Sequence, residues 1–440
     1  MKQKVIDFFD TEFVDYSSYS TIRMISSAID GLKNSHRKII HTVLDKNIKT
    51  KSKVSRLAST VSEYTEYLNG DISGVIAGMG QFHTGTNNVP LLAAEGNYGN
   101  RFSNSPSAAR YIYTHGTEFL FNVFKKEDGP ILIEQIFEGH KIEPRFFLPS
   151  LPLLLINGSN GIASGFKQTI FGRDIKKVKK FLINRLKNNS KTKFNLKPYF
   201  EGFRGEVTKG EGNRWLFSGV IKRVSSTTIE ITEIPPGMEL ARYIKILDDL
   251  KDKGKIINFK DNSDKNIFNF TVKFLKKDLL NKSDEDILNT LKLVKTETEI
   301  YNGIDEDLRV RTFKSTNDIM DYYIKIKLKY LKILKENLLD LYETELEKFK
   351  SKYLFIKAIV DGKLIINNRK NDLIIEDLEK INGIIKQNDS YNYLLNMPIS
   401  SLTKEQMQKL NISIKNKKNQ ISELKNKSLN QIWLDDLENI

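Results

Sequence analysis

The pattern of the first 120 or so residues reads as helices separated by loops. One predicted helix runs from Phe8 to Arg23, and Gly31-Leu32-Lys33 then interrupts the pattern ahead of Ser35-His36-Arg37-Lys38-Ile39-Ile40. A basic helix directly behind a turn suits insertion into a DNA major groove, although lysine-rich surface helices are also common. From Gly205 to Pro236 the period shortens to two. Val220, Ile221 and Val224 lead into Ser225-Ser226, and Ile229-Glu230-Ile231-Thr232-Glu233-Ile234 follows, which predicts a hairpin. A helical stretch at Leu240 to Leu250 and a strand from Phe268 to Phe274 complete a mixed α/β middle region.

At Ser315 the pattern turns strongly helical. Ser315-x-x-Asp318 is a capping box, and neither Pro nor Gly occurs again before Gly362. One helix over that span is long, since its residues at ~1.5 Å each extend roughly 70 Å. A second long helix is predicted from Thr403-x-x-Gln406, with Met407, Leu410, Ile414, Lys417, Ile421 and Leu424 at three-four spacing and Lys417 as the polar interruption. The segment from Gly362 to Ser401 is short enough to join two antiparallel helices. The fold class read from these patterns is mixed α+β and multidomain, divided at 1–125, 126–314 and 315–440. The last part is a long helical coiled coil with a small globular tip at about 362–401. Alone, a coiled coil of this kind means a scaffold or an oligomerisation device.

Composition changes the picture. Seventy Lys and Arg against 55 Asp and Glu give a formal charge of +15 and a pI near 9.4. Such an excess favours a polyanionic partner, nucleic acid above all, although Lys, Asn and Ile enrichment also follows from an AT-rich genome. The chain has no cysteine, which excludes disulfides, Cys-zinc sites and thiol catalysis. It has five scattered histidines, no HExxH and no Gly-x-x-x-x-Gly-Lys loop, against a zinc enzyme or an NTPase of that kind. The most apolar run, Phe146 to Ile156, is short and contains prolines, so a soluble cytoplasmic protein with no membrane span is expected. Asp284-Glu285-Asp286 and Asp305-Glu306-Asp307 follow no apolar strand that would fix metal ligands and read as solvated acidic turns, so no metal is assigned to this chain.

The chemistry concentrates in Leu91-Leu92-Ala93-Ala94-Glu95-Gly96-Asn97-Tyr98-Gly99-Asn100-Arg101 and in Ser107-Ala108-Ala109-Arg110-Tyr111-Ile112-Tyr113-Thr114. Glycines allow tight turns, small residues admit a large ligand, and an arginine beside a tyrosine suits a phosphodiester. Arg110 can clamp phosphate oxygens while Tyr111 attacks phosphorus. A phenol with a pKa near ~10 is a poor nucleophile at neutral pH and needs nearby positive charge or a base. Transfer of a phosphate to tyrosine exchanges one ester for another, so a broken backbone can be resealed. Read as a bare dipeptide, Arg-Tyr is far more often an ordinary half-buried aromatic beside a surface cation.

These residues resemble the active-site region of type IIA DNA topoisomerases, whose nucleophilic tyrosine follows an arginine after a Gly-rich segment. Arg23, Asp30-Gly31-Leu32-Lys33 and Arg37-Lys38 are similar to the family's entry to its winged-helix domain. Glu143-Pro144, Leu148-Pro149-Ser150-Leu151-Pro152 and Asn157-Gly158-Ser159-Asn160-Gly161-Ile162-Ala163-Ser164-Gly165 resemble its wedge loop. Asp361-Gly362-Lys363 and Tyr391-x-Tyr393-Leu394-Leu395-x-Met397-Pro398 resemble its coiled coil and exit gate. The resemblance implies Tyr111 as nucleophile, with Arg110 and Arg23 aiding at the scissile phosphate. It implies Lys33, Arg37 and Lys38 as DNA contacts and Ile162 as the wedge that bends the duplex. It further implies a winged-helix domain, a tower-like α/β domain, a homodimer on double-stranded DNA, and a separate partner subunit with a Toprim domain and an ATPase that would hold Mg²⁺ and ATP. Relaxation and decatenation through 5′-phosphotyrosine links are then the expected reaction, and a non-catalytic DNA-bridging protein is the rival. The sequence departs from the family at Leu68 and Asn69, where many members carry paired histidines, at Ser26 in place of a proline, and at Glu95 in place of a glutamine.

Overall fold

The computed structural model describes residues 5–188, 192–265, 267–387 and 389–440. They divide into two compact units, Met1–Lys327 with Leu434–Ile440, and Leu328–Trp433. No helix among the described residues is long and apolar enough to cross a membrane.

The first unit opens with the predicted helices. The stretch from Phe8 to Arg23 is broken at Thr11 into Val5–Asp10 and Glu12–Met24. Helices Asn34–Asp45, Val54–Tyr64 and Ser73–Gly80 follow and pack on one another. Val54, Leu57, Ala58 and Val61 recur at helical spacing and are buried, with Ile39, Ile40, Val43, Ile72 and Ile76 also buried in the flanking helices. Burial of each such large aliphatic side chain stabilises by about 1.5–3 kcal/mol. The same spacing turns Ser55, Ser59 and Ser62 to another face. A short antiparallel ribbon pairs Ser52–Lys53 with Tyr113–Thr114.

Further along this unit the period-two segment forms the predicted hairpin, Val220–Ser225 with Thr228–Glu233. It lies in a four-stranded antiparallel sheet whose other strands are Phe270–Lys273 and Asn258–Asp261. Ile229, Ile231, Phe270 and Val272 alternate inward and share a core with Tyr243, Leu247 and Leu250 of helix Leu240–Asp252. A three-stranded sheet orders Val294–Thr298, Arg214–Ser218 and Glu206–Lys209. The two acidic triplets have local partners. Asp286 closes a capping box with Ser283, Asp284 pairs with Arg223 at 2.7 Å, and Asp305 accepts the N–H groups of Asp307 and Arg309.

The predicted long helix is one unbroken run of 45 residues, Thr316–Val360. Its start is capped by Ser315, whose Oγ accepts the Asp318 N–H at 3.3 Å. Within the second unit, helix Lys404–Asn426 begins at Thr403, whose side chain accepts the Gln406 N–H. It runs antiparallel to the long helix, because Glu343 pairs with Lys425 while Lys335 donates to the Lys425 and Lys427 carbonyls. Lys417, the polar interruption, pairs with Glu345 at 2.7 Å and lies 4.3 Å over the Tyr342 ring. The connecting segment has its own core, in which Phe355, Ile356, Leu364, Ile374, Leu378, Tyr391 and Leu394 are buried together.

Candidate active site

Tyr111 stands at the end of a tight turn, its N–H donating to the Ala108 carbonyl at 2.8 Å. The backbone just beyond is held from two sides. Val54 N–H donates to the Ile112 carbonyl at 3.0 Å, and Tyr113 exchanges backbone bonds with Glu95 at 2.9 and 3.1 Å. Ile112 points into the core, 1 % exposed, so its neighbour Tyr111 points outward and is 64 % exposed. The Arg110 guanidinium lies 4.7 Å over the Tyr111 ring, a cation–π arrangement that puts positive charge beside the phenol.

Next to this pair lies a groove of about 870 Å³ lined by Ser55, Ser59, Ser62, Ser73, Gly74 and Arg110, among other residues. Helix Val54–Tyr64 starts at its head, where Ser55 N–H donates to the Ala109 carbonyl at 3.2 Å. The positive end of that helix and its row of hydroxyls suit an anionic backbone. The opposite wall is helix Ser73–Gly80, with Gly74 and Gly78 exposed one turn apart. A Cβ at either position would meet nothing within 4 Å, so no protein neighbour requires a glycine there. Sequence reading passed over this helix because it lacks basic residues. The small-residue pair at i, i+4 was the available signal.

The Gly-rich segment supports the turn from behind. Gly99 has φ +82°, and a Cβ there would lie 2.7 Å from Asn104 backbone. Tyr98 is buried and donates to the Tyr113 carbonyl at 2.8 Å. Burial pushes its phenol up to about 12, so it stays protonated at neutral pH. Arg101 anchors the segment through Glu233 at 2.6 Å. Glu95 pairs with Lys51 at 2.7 Å, and that hydrogen bond holds its carboxyl below the ordinary range.

Arg23 is not brought to Tyr111 within one chain. Its Nη1 donates to Asn69 Oδ1 at 3.2 Å, which also accepts from Tyr19 at 3.0 Å. Asn69 follows the far end of Val54–Tyr64, whose 11 residues at ~1.5 Å each separate its two ends by roughly 16 Å. Asn69 therefore occupies one of the two divergent positions and orients an arginine. Leu68 is 76 % exposed.

Two residues expected as DNA contacts are engaged inside the fold. Arg37 is buried, its Nε and Nη2 donating to Asp30 at 2.8 and 3.2 Å and Nη2 also to the Leu32 carbonyl. Asp30 further accepts the Leu32 and Phe147 N–H groups. Lys38 is buried as well, donating to Glu143 at 2.8 Å and to the Thr65 carbonyl at 2.5 Å. A buried cation without a partner is costly, and these two are spent on internal carboxylates, so the charge of this helix faces inward. His36 beside them is pushed down to about 4, by burial first and then by Lys33 and Arg37, and is neutral at physiological pH.

Lys33 is half-buried, with Nζ donating to the Asn160 carbonyl at 2.7 Å, and burial lowers its pKa. Asn160 belongs to the antiparallel hairpin Gly158–Ile162 with Lys167–Phe171. Ile162, 67 % exposed, ends the first strand opposite Lys167. Among the described residues no group of three His, Asp or Glu side chains could hold a metal.

Residues 23–438 match the family model for the A-type subunit of DNA gyrase/topoisomerase IV. DNA topoisomerase 2 of Penicillium chrysogenum is 31% identical over 469 residues, covering 98% of this chain and 29% of that protein. The mitochondrial DNA topoisomerase 2 of Dictyostelium discoideum is 29% identical over 447 residues, covering 99% of this chain and 35% of its own length. The chain thus spans about a third of the length of these relatives. A crystal structure of the Plasmodium falciparum topoisomerase II DNA-binding, cleavage and re-ligation domain superposes with a TM-score of 0.86 at 29% identity, covering 98% of this chain and 63% of that one. An exposed Arg-Tyr pair on a pinned turn, a groove beside it and a match from residue 23 to residue 438 agree: the chain belongs to the family of DNA gyrase and topoisomerase IV A-type subunits, as a breakage-reunion domain of the type IIA topoisomerases.

Proposed function

We propose that this chain cuts and reseals double-stranded DNA through Tyr111. The observation that carries the reading is the Arg110 guanidinium stacked on an outward-facing Tyr111 at the head of the groove. The phenol oxygen attacks phosphorus, the 3′ oxygen leaves and takes a proton, and the phosphate is retained as a 5′-phosphotyrosine ester. Attack by the 3′ hydroxyl reverses the step. Arg110 neutralises phosphate oxygens as charge accumulates. Arg23, held by Asn69 and half-buried, binds backbone phosphate further along the duplex. Lys33, with two ammonium protons left beyond its bond to Asn160, contacts the backbone near the wedge, and Ile162 enters a base step.

In this reading residues 1–125 are the winged-helix part, 126–314 the tower-like part that supports bent DNA, and 315–440 the coiled coil. Two copies meet at the tips, where Ile365 and Ile399 are 60 % and 84 % exposed. Mg²⁺ and ATP are held outside these residues, by a Toprim and ATPase partner subunit. The support is chemical: the acidic triplets here are engaged in caps, turns and an ion pair. The test is to add the purified chain to supercoiled plasmid with Mg²⁺ and ATP, with and without that partner. Relaxation and detergent-trapped linear DNA are expected with the partner and absent without it. DNA binding with no breakage in the assembled complex would favour the bridging reading.

The glycine wall yields a separate prediction. Alanine at Gly74 and Gly78 should each stabilise the chain by about 0.5–1 kcal/mol, because the methyls fill open space and stiffen a helix. The same methyls should weaken DNA binding by about 1–3 kcal/mol if the backbone of the duplex approaches this face. Thermal melting and DNA titration on the double variant check both signs, and unchanged affinity would remove this helix from the DNA surface.

A further inference from the structure

We propose that Ser26 and Gln168 are positioning residues for DNA bending: they mount the hairpin carrying Ile162 rigidly on the segment that follows Arg23. The inference rests on the wedge reading of Ile162 given above. Gln168 is fully buried and Ser26 is 1 % exposed. The Gln168 amide imitates a neighbouring strand, its Oε1 accepting the Ser26 N–H at 3.1 Å and its Nε2 donating to the Ser26 carbonyl at 3.3 Å and the Asn302 carbonyl at 2.7 Å. Asn302 returns a bond from Nδ2 to the Lys167 carbonyl at 2.8 Å. On the other strand Ser159 Oγ lies 2.8 Å from Ser26 Oγ, and Lys33 holds the Asn160 carbonyl. Gly161 completes the seat, since a Cβ there would lie 2.2 Å from the Met24 carbonyl oxygen.

The rungs from Ser159 to Gly161 are therefore fixed to residues 24–33 or to Asn302, and the base rung is held where Phe171 N–H donates to Glu299, whereas Ile162 and Phe166 at the tip are 67 % and 42 % exposed. That division has a mechanical meaning. Kinking a duplex costs several kcal/mol, and a wedge on a compliant hairpin would fold back before the base step opened. A buried amide whose hydrogen bonds are all made resists that recoil, because breaking them leaves polar groups unsatisfied in the interior. The mount also joins the wedge to Arg23 through three residues of backbone, so phosphate binding and insertion occur as one movement.

The test measures bending separately from affinity. A short duplex with a dye at each end reports the bent population on the full chain. A second duplex with a central mismatch removes the cost of bending. Ile162→Ala, Gln168→Leu and Ser26→Ala should each lower the bent population on the intact duplex by about three- to tenfold, as expected for one or two lost hydrogen bonds or a lost wedge. Affinity for the mismatched duplex should be retained. If Ile162→Ala alone reduces bending, the wedge stands and the positioning role falls. If Ile162→Ala bends DNA like the parent chain, both fall together. If Gln168→Leu weakens binding to both duplexes equally and melts early, its role is only structural. Ser26→Ala, which deletes a single hydroxyl, decides the question without depending on that larger lesion.

Discussion

With Tyr111→Phe, strand cleavage and relaxation should fall by about four to six orders of magnitude while DNA binding is retained, as befits loss of a nucleophile whose neighbours still bind. The phenyl ring keeps the outward position fixed by the Ala108 turn and the buried Ile112, and Arg110 keeps its ring to stack on. Only the attacking oxygen is removed. Neither neighbouring tyrosine replaces it: Tyr98 is buried with its hydroxyl donated to the Tyr113 carbonyl, and Tyr113 is fixed in the ribbon beneath Lys51. Gel analysis of plasmid products after detergent quenching, in the complex with the Toprim-bearing partner, reads the loss directly. Residual cleavage within about tenfold of the parent would mean another nucleophile.

The second large effect lies in stability. Arg37→Met should destabilise the chain by about 3–5 kcal/mol, because it strands the fully buried Asp30 carboxylate without its cation. It should leave the salt dependence of DNA binding unchanged at temperatures where the variant is folded. A phosphate contact behaves in the opposite way, with little effect on stability and a salt slope reduced by about 0.9. Denaturant unfolding and salt titration of one variant therefore separate the buried-pair assignment from the DNA-contact expectation. Replacing Asp30 with Leu in the Arg37→Met background should recover part of the stability, since the uncompensated charge is then gone.

That contrast marks where sequence reading stops. Elements with an unambiguous period were legible: the 45-residue helix, its Ser315 cap, the Thr403 start and the Val220–Glu233 hairpin appear as the spacing dictated. The Arg110-Tyr111 pair stood out only through the resemblance of its surroundings, since the dipeptide alone carries no such signal, and the structure adds that the two side chains stack. The burial of Arg37 and Lys38 was not legible because exposure is a tertiary property. A basic stretch looks the same whether its partners are phosphates or, as here, Asp30 and Glu143. Glu143 lies 105 residues from Lys38, and no local pattern announces such a pairing. Gly74 and Gly78 gave no signal for the converse reason, since a helix face without side chains carries no charge or motif to notice. The Ser26–Gln168 mount was equally silent, because its two members are 142 positions apart.

The most direct test of the central claim is to trap the reaction with detergent in the assembled complex, digest the protein, and identify by mass the peptide that carries a nucleotide. The account predicts a phosphate ester on Tyr111, joined to the 5′ end of the broken strand, with the 3′ end carrying a free hydroxyl. A nucleotide on any other residue, a link to the 3′ end, or broken DNA without attached protein would contradict it.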